Sequence, residues 1–144
     1  MNDTICLQPI LDHIQKDPFA AHLGAKVTIL APGHSRVSLV IQDHYTNFHG
    51  STHGGVIFAI SDMAFAAACN SHGRVAVALN VSICFLKPTY AGDLIVAEAK
   101  EVYQGGRTSL YTIEIFKEKT GELVAKSQDQ AYIKDQLLVP PPAG

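Results

Sequence analysis

The feature that most constrains this fold is an apolar stretch from Val56 to Cys69, 14 residues interrupted only by Ser61 and Asp62. A membrane-spanning helix needs about 20 such residues, so this one is too short to cross a bilayer. Gly73 follows and is typical of a helix stop, which predicts one helix over 54–71. A helix that is apolar on nearly every side must be buried on nearly every side, so the rest of the chain has to surround it.

The remaining sequence is mostly strand-like, with apolar and polar residues in alternation. We expect two strands before the helix and four after it, over residues 25–32, 35–42, 74–86, 93–103, 107–117 and 122–134. Short turns join successive strands, which favours antiparallel pairing. Because the helices are segregated from the strands, the predicted class is α+β, with an antiparallel sheet wrapped around one long central helix.

The two ends of the chain lie outside this pattern. Residues 8–16 predict a short amphipathic N-terminal helix, and a second turn follows from Asp17 to Gly24. A length of 144 residues fits one domain. We therefore predict a single domain over 1–144, with the N-terminal helix within 1–19 and a flexible, proline-rich tail over 135–144.

Composition argues against several classes of protein. The chain has 11 basic and 13 acidic residues, a formal net charge of −2 and no basic cluster, so nucleic acid is not an expected partner. No signal peptide or membrane span is predicted, which favours a cytoplasmic location. Charged residues are only 17% of the chain, against a usual share of about 25%. That deficit suggests that part of the surface is covered in an oligomer.

A polar, glycine-rich loop over 43–55 leads into the apolar helix. Loops of this length in small domains are often functional. The sequence His53-Gly54-Gly55 stands where the loop becomes the helix. The first turn of a helix has free backbone N–H groups and a partial positive charge, and glycine lets another group come close. This point therefore favours a site for a carbonyl oxygen or an oxyanion.

Asp62 is the one charged residue inside the apolar helix. An unpaired buried carboxylate costs several kcal/mol, so Asp62 must find a partner, bind a proton or face a wet cleft. It lies seven residues after Gly55, about 10 Å along the helix axis. Two groups that act on one reacting centre must both lie about 3 Å from it. If the pair is catalytic, two antiparallel helices across a two-fold axis must share the site, and the enzyme is an obligate dimer.

The pattern N-x5-H-G-G-x6-D, formed by Asn47, His53, Gly54, Gly55 and Asp62, resembles the hotdog-fold acyl-CoA thioesterases. The helix text HGGVIFAISDMAFAAACNSHG is most similar to their phenylacetate-degradation, PaaI-like branch, and so are FLKPTYAGD and YQGGRTSLYTIEIF. The resemblance covers roughly residues 20–134. It implies the hotdog fold, homodimers paired into homotetramers, and hydrolysis of an acyl-CoA thioester without a metal. It implies no cofactor, because coenzyme A is part of the substrate.

The same resemblance implies a role for each catalytic residue. Asp62 would attack the thioester carbonyl or activate a water molecule, and both possibilities stay open. Gly55 would donate its backbone N–H to the thioester oxygen, while His53 and Asn47 would order the loop and a neighbouring water or carbonyl. An ordinary turn-forming role for Asn47 is an alternative.

The chain departs from some relatives in the strand after the helix. They carry a serine or threonine there that assists the carboxylate, and we match that position to Ala78. Asn80 and Ser82 are the possible substitutes.

Substrate contacts are predicted in two groups. Lys87 and Arg107 would bind the phosphates of coenzyme A. The residues expected to contact the acyl group or line its pocket are Gly54, Val56, Ile57, Met63 and Phe65. The expected substrates are aryl-acetyl-CoA, hydroxylated aryl-acetyl-CoA or medium-chain acyl-CoA thioesters.

Other functions remain alternatives. One is a non-catalytic module of the same fold that binds acyl-CoA or an acyl carrier, with Asp62 at a subunit interface. A hydratase of the same architecture would need a histidine base in a motif that the sequence lacks. His44, His49 and His53 form a loose cluster in one loop, which makes a zinc site an alternative. Cys69 is a conceivable thiol nucleophile, although its apolar surroundings favour an inert buried thiol.

Overall fold

The computed structural model of the chain describes residues 6–141, which form helices packed on one face of a single sheet. The helices are α1 (Leu7–Ile14), α2 (Pro18–Leu23), a short 3₁₀-helix (Asp43–Tyr45) and α3 (Gly54–Asn70). The strands are β1 (Lys26–Ala31), β2 (His34–Val40), β3 (Arg74–Phe85), β4 (Leu94–Gln104), β5 (Thr108–Lys117) and β6 (Leu123–Leu137).

The six strands lie in the order β1-β2-β4-β5-β6-β3, and all neighbours are antiparallel. Helix α3 packs against this sheet and touches all six strands. The α+β prediction is therefore confirmed. The order leaves β3 at one edge of the sheet, with one row of its backbone groups unpaired by any other strand among residues 6–141.

One stripe of α3 stays open rather than buried. Gly55, Phe58, Asp62 and Ala66 are exposed, while most of the other helix residues are buried. Their spacing of three or four residues places them on one side of the helix. The chain by itself therefore covers α3 on every side but one, and that side carries the carboxylate.

Two side chains anchor the end of α3. The Asn70 amide donates to the Ala76 carbonyl at 3.1 Å and accepts from the Ala76 N–H at 2.9 Å, so it joins the helix to β3. The Ser71 hydroxyl donates to the Ala68 carbonyl at 2.6 Å and accepts from the Gly33 N–H at 2.7 Å. Ser71 caps the helix instead of extending it, which ends α3 one residue earlier than predicted.

Replacing Asn70 with alanine should lower the free energy of unfolding by about 1–3 kcal/mol, because two hydrogen bonds to β3 are lost. Urea unfolding of the purified protein measures this change. Gln8→Ala removes an exposed side-chain hydrogen bond on α1 and should change stability by no more than about 0.5 kcal/mol. Equal effects of the two substitutions would contradict a special role for Asn70.

The predictions for the two ends need correction. The N-terminal helix ends at Ile14, because Asp17 caps a separate helix, α2, through the N–H groups of Phe19 and Ala20. The tail predicted flexible over 135–144 begins inside β6, which pairs its Leu137 with the start of β3. Residues 1–5 and 142–144 of the two terminal predictions lie outside the described part. Among residues 6–141, no helix combines the length and apolarity needed to cross a membrane.

Candidate active site

The loop that leads into α3 is fixed at several points. The His53 N–H donates to the Tyr45 carbonyl at 2.8 Å, and the Tyr45 hydroxyl donates to the Leu23 carbonyl at 2.6 Å. The Thr52 N–H donates to the Thr89 carbonyl at 2.8 Å, and their buried hydroxyls are bonded at 2.7 Å. These contacts give α3 a defined starting point next to the end of β3.

His53 caps α3 with its side chain. Its Nδ1 accepts from the Gly55 N–H at 2.8 Å. This is the amide that the family pattern assigns to the thioester oxygen, so in the free chain that amide already has a partner. Gly55 is exposed, and a Cβ atom at this position would lie 3.0 Å from His53 Nδ1. A larger residue would therefore crowd both the ring and an incoming ligand.

Asn47 makes local contacts in the loop. Its Oδ1 accepts from the His49 N–H at 2.9 Å and from the Ser51 hydroxyl at 3.4 Å, and its N–H donates to the Ser51 carbonyl at 2.8 Å. These bonds close a turn just before α3. They are the contacts expected of a residue that shapes the loop.

Asp62 lies on the open stripe of α3, two turns beyond Gly55. Within residues 6–141 its carboxylate makes no hydrogen bond or ion pair. The packed protein around it raises its pKa by desolvation, and the negative charge of Asp17, the cap of α2, raises the pKa further. A carboxylate with a raised pKa is a better proton acceptor than an ordinary surface aspartate.

A cavity of about 370 Å³ lies beside the start of α3. Its lining residues are Thr52, Gly54, Ile57, Phe85, Leu86, Lys87, Pro88, Thr89 and Val124. The cavity brings together three of the predicted substrate contacts, Gly54, Ile57 and Lys87. A Cβ atom on Gly54 would lie 3.6 Å from the Phe85 ring, so a side chain at this position would fill part of the cavity. The sequence reasoning missed Phe85 and Thr89, although they flank Lys87 in the segment FLKPT.

The structure places other predicted contacts elsewhere. Phe65 is buried against Tyr111, with ring centroids 5.7 Å apart, and Met63 is also enclosed in the core. Neither lines the cavity beside Gly54. Val56 is half-buried and packs at the margin of the core. Arg107 is exposed at another part of the sheet, where its guanidinium binds both carboxylate oxygens of Asp135 at 2.9 and 3.2 Å.

The residues considered as substitutes in β3 point away from the helix. Asn80 and Ser82 pair with Gln130 and Gln128, and they alternate with Val81, whose partner on β6 is the buried Asp129. Alternation therefore places Asn80 and Ser82 on the face opposite α3. They cannot assist Asp62 of their own chain.

Two alternatives raised by the sequence concern a metal site and a thiol nucleophile. Over the described range 6–141, no three His, Cys, Asp or Glu side chains are grouped to hold a metal ion. Burial raises the pKa of Cys69 to about 12, so its thiol stays protonated at neutral pH and is a poor nucleophile.

Known proteins are similar to this chain in both sequence and fold. The family model described as the thioesterase superfamily matches residues 49–124, more than half of the chain. Acyl-coenzyme A thioesterase PaaI of Escherichia coli is 41% identical over 101 residues, which are 70% of this chain and 72% of that one. The solved E. coli PaaI structure has a TM-score of 0.86 at 34% identity and covers 90% of this chain and 94% of its own.

Two further relatives extend the comparison. A putative esterase of Archaeoglobus fulgidus is 36% identical over 127 residues, 88% of this chain and 82% of that protein. A Streptococcus mutans protein solved with bound acetyl-CoA is 26% identical, with a TM-score of 0.73 over 78% of this chain and 90% of that one. The chain therefore belongs to the thioesterase superfamily, as a PaaI-like thioesterase with the hotdog fold.

Proposed function

We propose that this protein hydrolyses acyl-CoA thioesters to the free acid and coenzyme A. The observation that carries the proposal is the open stripe of α3, where the unpaired Asp62 carboxylate and the Gly55 amide share one exposed side. The cavity beside the start of α3 contributes a cation, Lys87, in its lining. The names of the E. coli and S. mutans relatives, a thioesterase and an acetyl-CoA complex, support coenzyme A thioesters as the substrate class.

In the proposed reaction, a carboxylate and a backbone amide have different roles. Asp62 either attacks the thioester carbonyl carbon or takes a proton from the water that attacks it. The carbonyl oxygen becomes an oxyanion and accepts a hydrogen bond from the Gly55 N–H. The carbon–sulfur bond then breaks, coenzyme A leaves as the thiol, and water supplies the oxygen and proton of the products.

We place each site between two protomers. Gly55 and Asp62 of one α3 are about 10 Å apart along the axis, too far to act on one carbonyl. The edge of β3, which pairs with no other strand on its free side among residues 6–141, and the exposed side chain of Phe58 on α3 offer a surface for a second copy. In an antiparallel arrangement, Asp62 of one protomer faces Gly55 of its partner. Pairing of two dimers into a tetramer stays a prediction that a solution mass measurement tests.

The substrate class is tested with a panel of acyl-CoA thioesters and a reagent that detects the free thiol of coenzyme A. We expect turnover with aryl-acetyl-CoA, ring-hydroxylated aryl-acetyl-CoA or medium-chain acyl-CoA, and mass spectrometry should show the free acid. Tight binding without turnover across the panel would favour the binding-module alternative instead. A product heavier than the substrate by one water would indicate a hydratase.

Replacing Lys87 with alanine should raise KM for the best substrate about tenfold and leave kcat nearly unchanged. The reason is that a phosphate contact worth about 1.4 kcal/mol binds substrate and transition state equally. Steady-state kinetics at low and physiological salt measure the effect, which should shrink as salt rises. Arg107→Ala is the matched comparison, because Arg107 is held by Asp135 outside the cavity. A larger KM effect from Arg107 than from Lys87 would contradict this assignment.

A further inference from the structure

Thr89 is the one buried residue in the mostly exposed connection between β3 and β4. It is 2% exposed, whereas its neighbours Pro88 and Tyr90 are exposed. Its hydroxyl donates to the buried hydroxyl of Thr52 at 2.7 Å, and the Thr52 N–H donates to the Thr89 carbonyl at 2.8 Å. A buried hydroxyl without a partner is costly, so each threonine depends on the other. The proposed reaction leaves this pair of bonds without a role.

The two threonines belong to segments that carry different parts of the proposed site. Thr52 stands three residues before Gly55, and His53 between them caps α3 through the Gly55 amide. Thr89 stands two residues after Lys87, and both threonines line the same cavity as Lys87. The hydroxyl pair therefore connects the start of α3, where the thioester oxygen is proposed to bind, to the segment that carries the proposed phosphate contact.

The segment that carries Lys87 is held on both sides of that residue. The N–H groups of Leu86 and Lys87 both donate to the Val124 carbonyl, at 2.8 and 3.1 Å. Pro88 then restricts the backbone before the chain reaches Thr89. A single hydrogen bond at Thr89 would leave the segment free to turn about that bond, whereas a carbonyl bond and a hydroxyl bond together fix its orientation relative to α3. The hydroxyl pair supplies the second of these bonds.

We propose that Thr52 and Thr89 are positioning residues that set the separation between the Gly55 amide and Lys87, so that one acyl-CoA molecule reaches both. The inference rests on the proposed thioesterase activity and on the proposed phosphate contact of Lys87. Coenzyme A carries its phosphates and its thioester at opposite ends of one arm, so both contacts form together only where the protein groups match the length of the bound arm. If the separation changes, the substrate can give up the phosphate contact and keep its carbonyl on the amide. The loss should therefore not exceed the roughly tenfold effect expected for Lys87→Ala.

The first test compares two thioesters in the Thr89→Val variant, in which valine keeps the branched shape of threonine and loses the hydroxyl. We expect kcat/KM for the best acyl-CoA to fall about three- to tenfold. The same acyl group on N-acetylcysteamine, a thioester without phosphates, should lose less than about twofold, because it cannot use Lys87. Thr89→Ser keeps the hydroxyl and should recover most of the loss. Thr28→Val, at an exposed position on β1, is the matched control and should leave both thioesters unaffected.

The second test is a double-mutant cycle with Lys87→Ala. Once Lys87 is absent, Thr89→Val should lower kcat/KM for acyl-CoA by less than about twofold further. An equal loss on both thioesters, additive losses in the cycle, or no loss on acyl-CoA would overturn the inference and leave the proposed function intact. If Thr89→Val does not fold, Thr52→Val removes the same bond and replaces it in both tests. Wild-type protein that releases no coenzyme A would instead refute the proposed function itself.

Discussion

Replacing Asp62 with asparagine should reduce kcat for acyl-CoA hydrolysis by about a thousandfold or more, with KM little changed. The amide keeps the size and polarity of the carboxylate but can neither accept the proton of water nor form an acyl intermediate. A loss confined to kcat indicates an interaction made in the transition state. The thiol-release assay measures the loss directly, and Asp12→Asn serves as a surface control.

The same variant should be at least as stable as the wild type above neutral pH. The pKa of Asp62 is raised in the folded chain, so ionisation of Asp62 favours the unfolded state as pH rises through that folded pKa. Removing the charge removes that unfavourable contribution. Thermal unfolding at pH 5 and pH 8 therefore separates loss of chemistry from loss of fold. An inactive but unfolded variant would say nothing about catalysis, whereas a stable variant with activity within tenfold of wild type would assign Asp62 to the subunit interface.

Mixing two inactive variants should restore hydrolysis if the sites are shared. Asp62→Ala removes the carboxylate, and Gly55→Pro removes the amide hydrogen at the second position of α3 and places a ring against His53 Nδ1, so each change inactivates the site to which it belongs. In a heterodimer, the intact Gly55 of one protomer faces the intact Asp62 of its partner, and the other site lacks both groups. Random pairing of equal amounts should therefore give about a quarter of wild-type activity.

The control for this experiment mixes Asp62→Ala with Asp62→Asn. No pairing of these two chains produces a complete site, so activity should stay at the level of the single variants. Co-expression with two different tags allows the heterodimer to be isolated and its activity compared with that of each homodimer. Absence of recovery in an isolated, stable heterodimer would show that Gly55 and Asp62 do not act together across the interface.

The sequence was sufficient to predict the central helix and the class of the fold. An apolar stretch interrupted only by Ser61 and Asp62 indicated a largely buried helix, and two-residue alternation indicated the strands around it. The period of the helix also placed Gly55 and Asp62 on one side. These inferences succeed because they depend on local pattern.

The sequence could not supply the facts that depend on distant contacts. A helix that is apolar on nearly every side does not reveal which side faces the sheet, so the sequence predicts Met63 and Phe65 as pocket residues although they lie in the core. Nothing near Arg107 in sequence predicts its pairing with Asp135, 28 residues away. The burial of Asp129 could have been predicted from the sequence, because this residue falls in phase with the inward-facing Ala125 and Ala131 of its strand.

The Gly55 amide has a partner within its own chain, because the imidazole Nδ1 of His53 accepts its hydrogen bond. In the proposed reaction an incoming oxygen must compete with that ring nitrogen. A neutral thioester carbonyl is a weak acceptor and gains little by displacing it, whereas a fully formed negative oxygen gains much more. The histidine cap thus weakens binding of the neutral thioester more than binding of the oxyanion. Interactions that favour the transition state over the bound substrate raise the rate rather than the affinity.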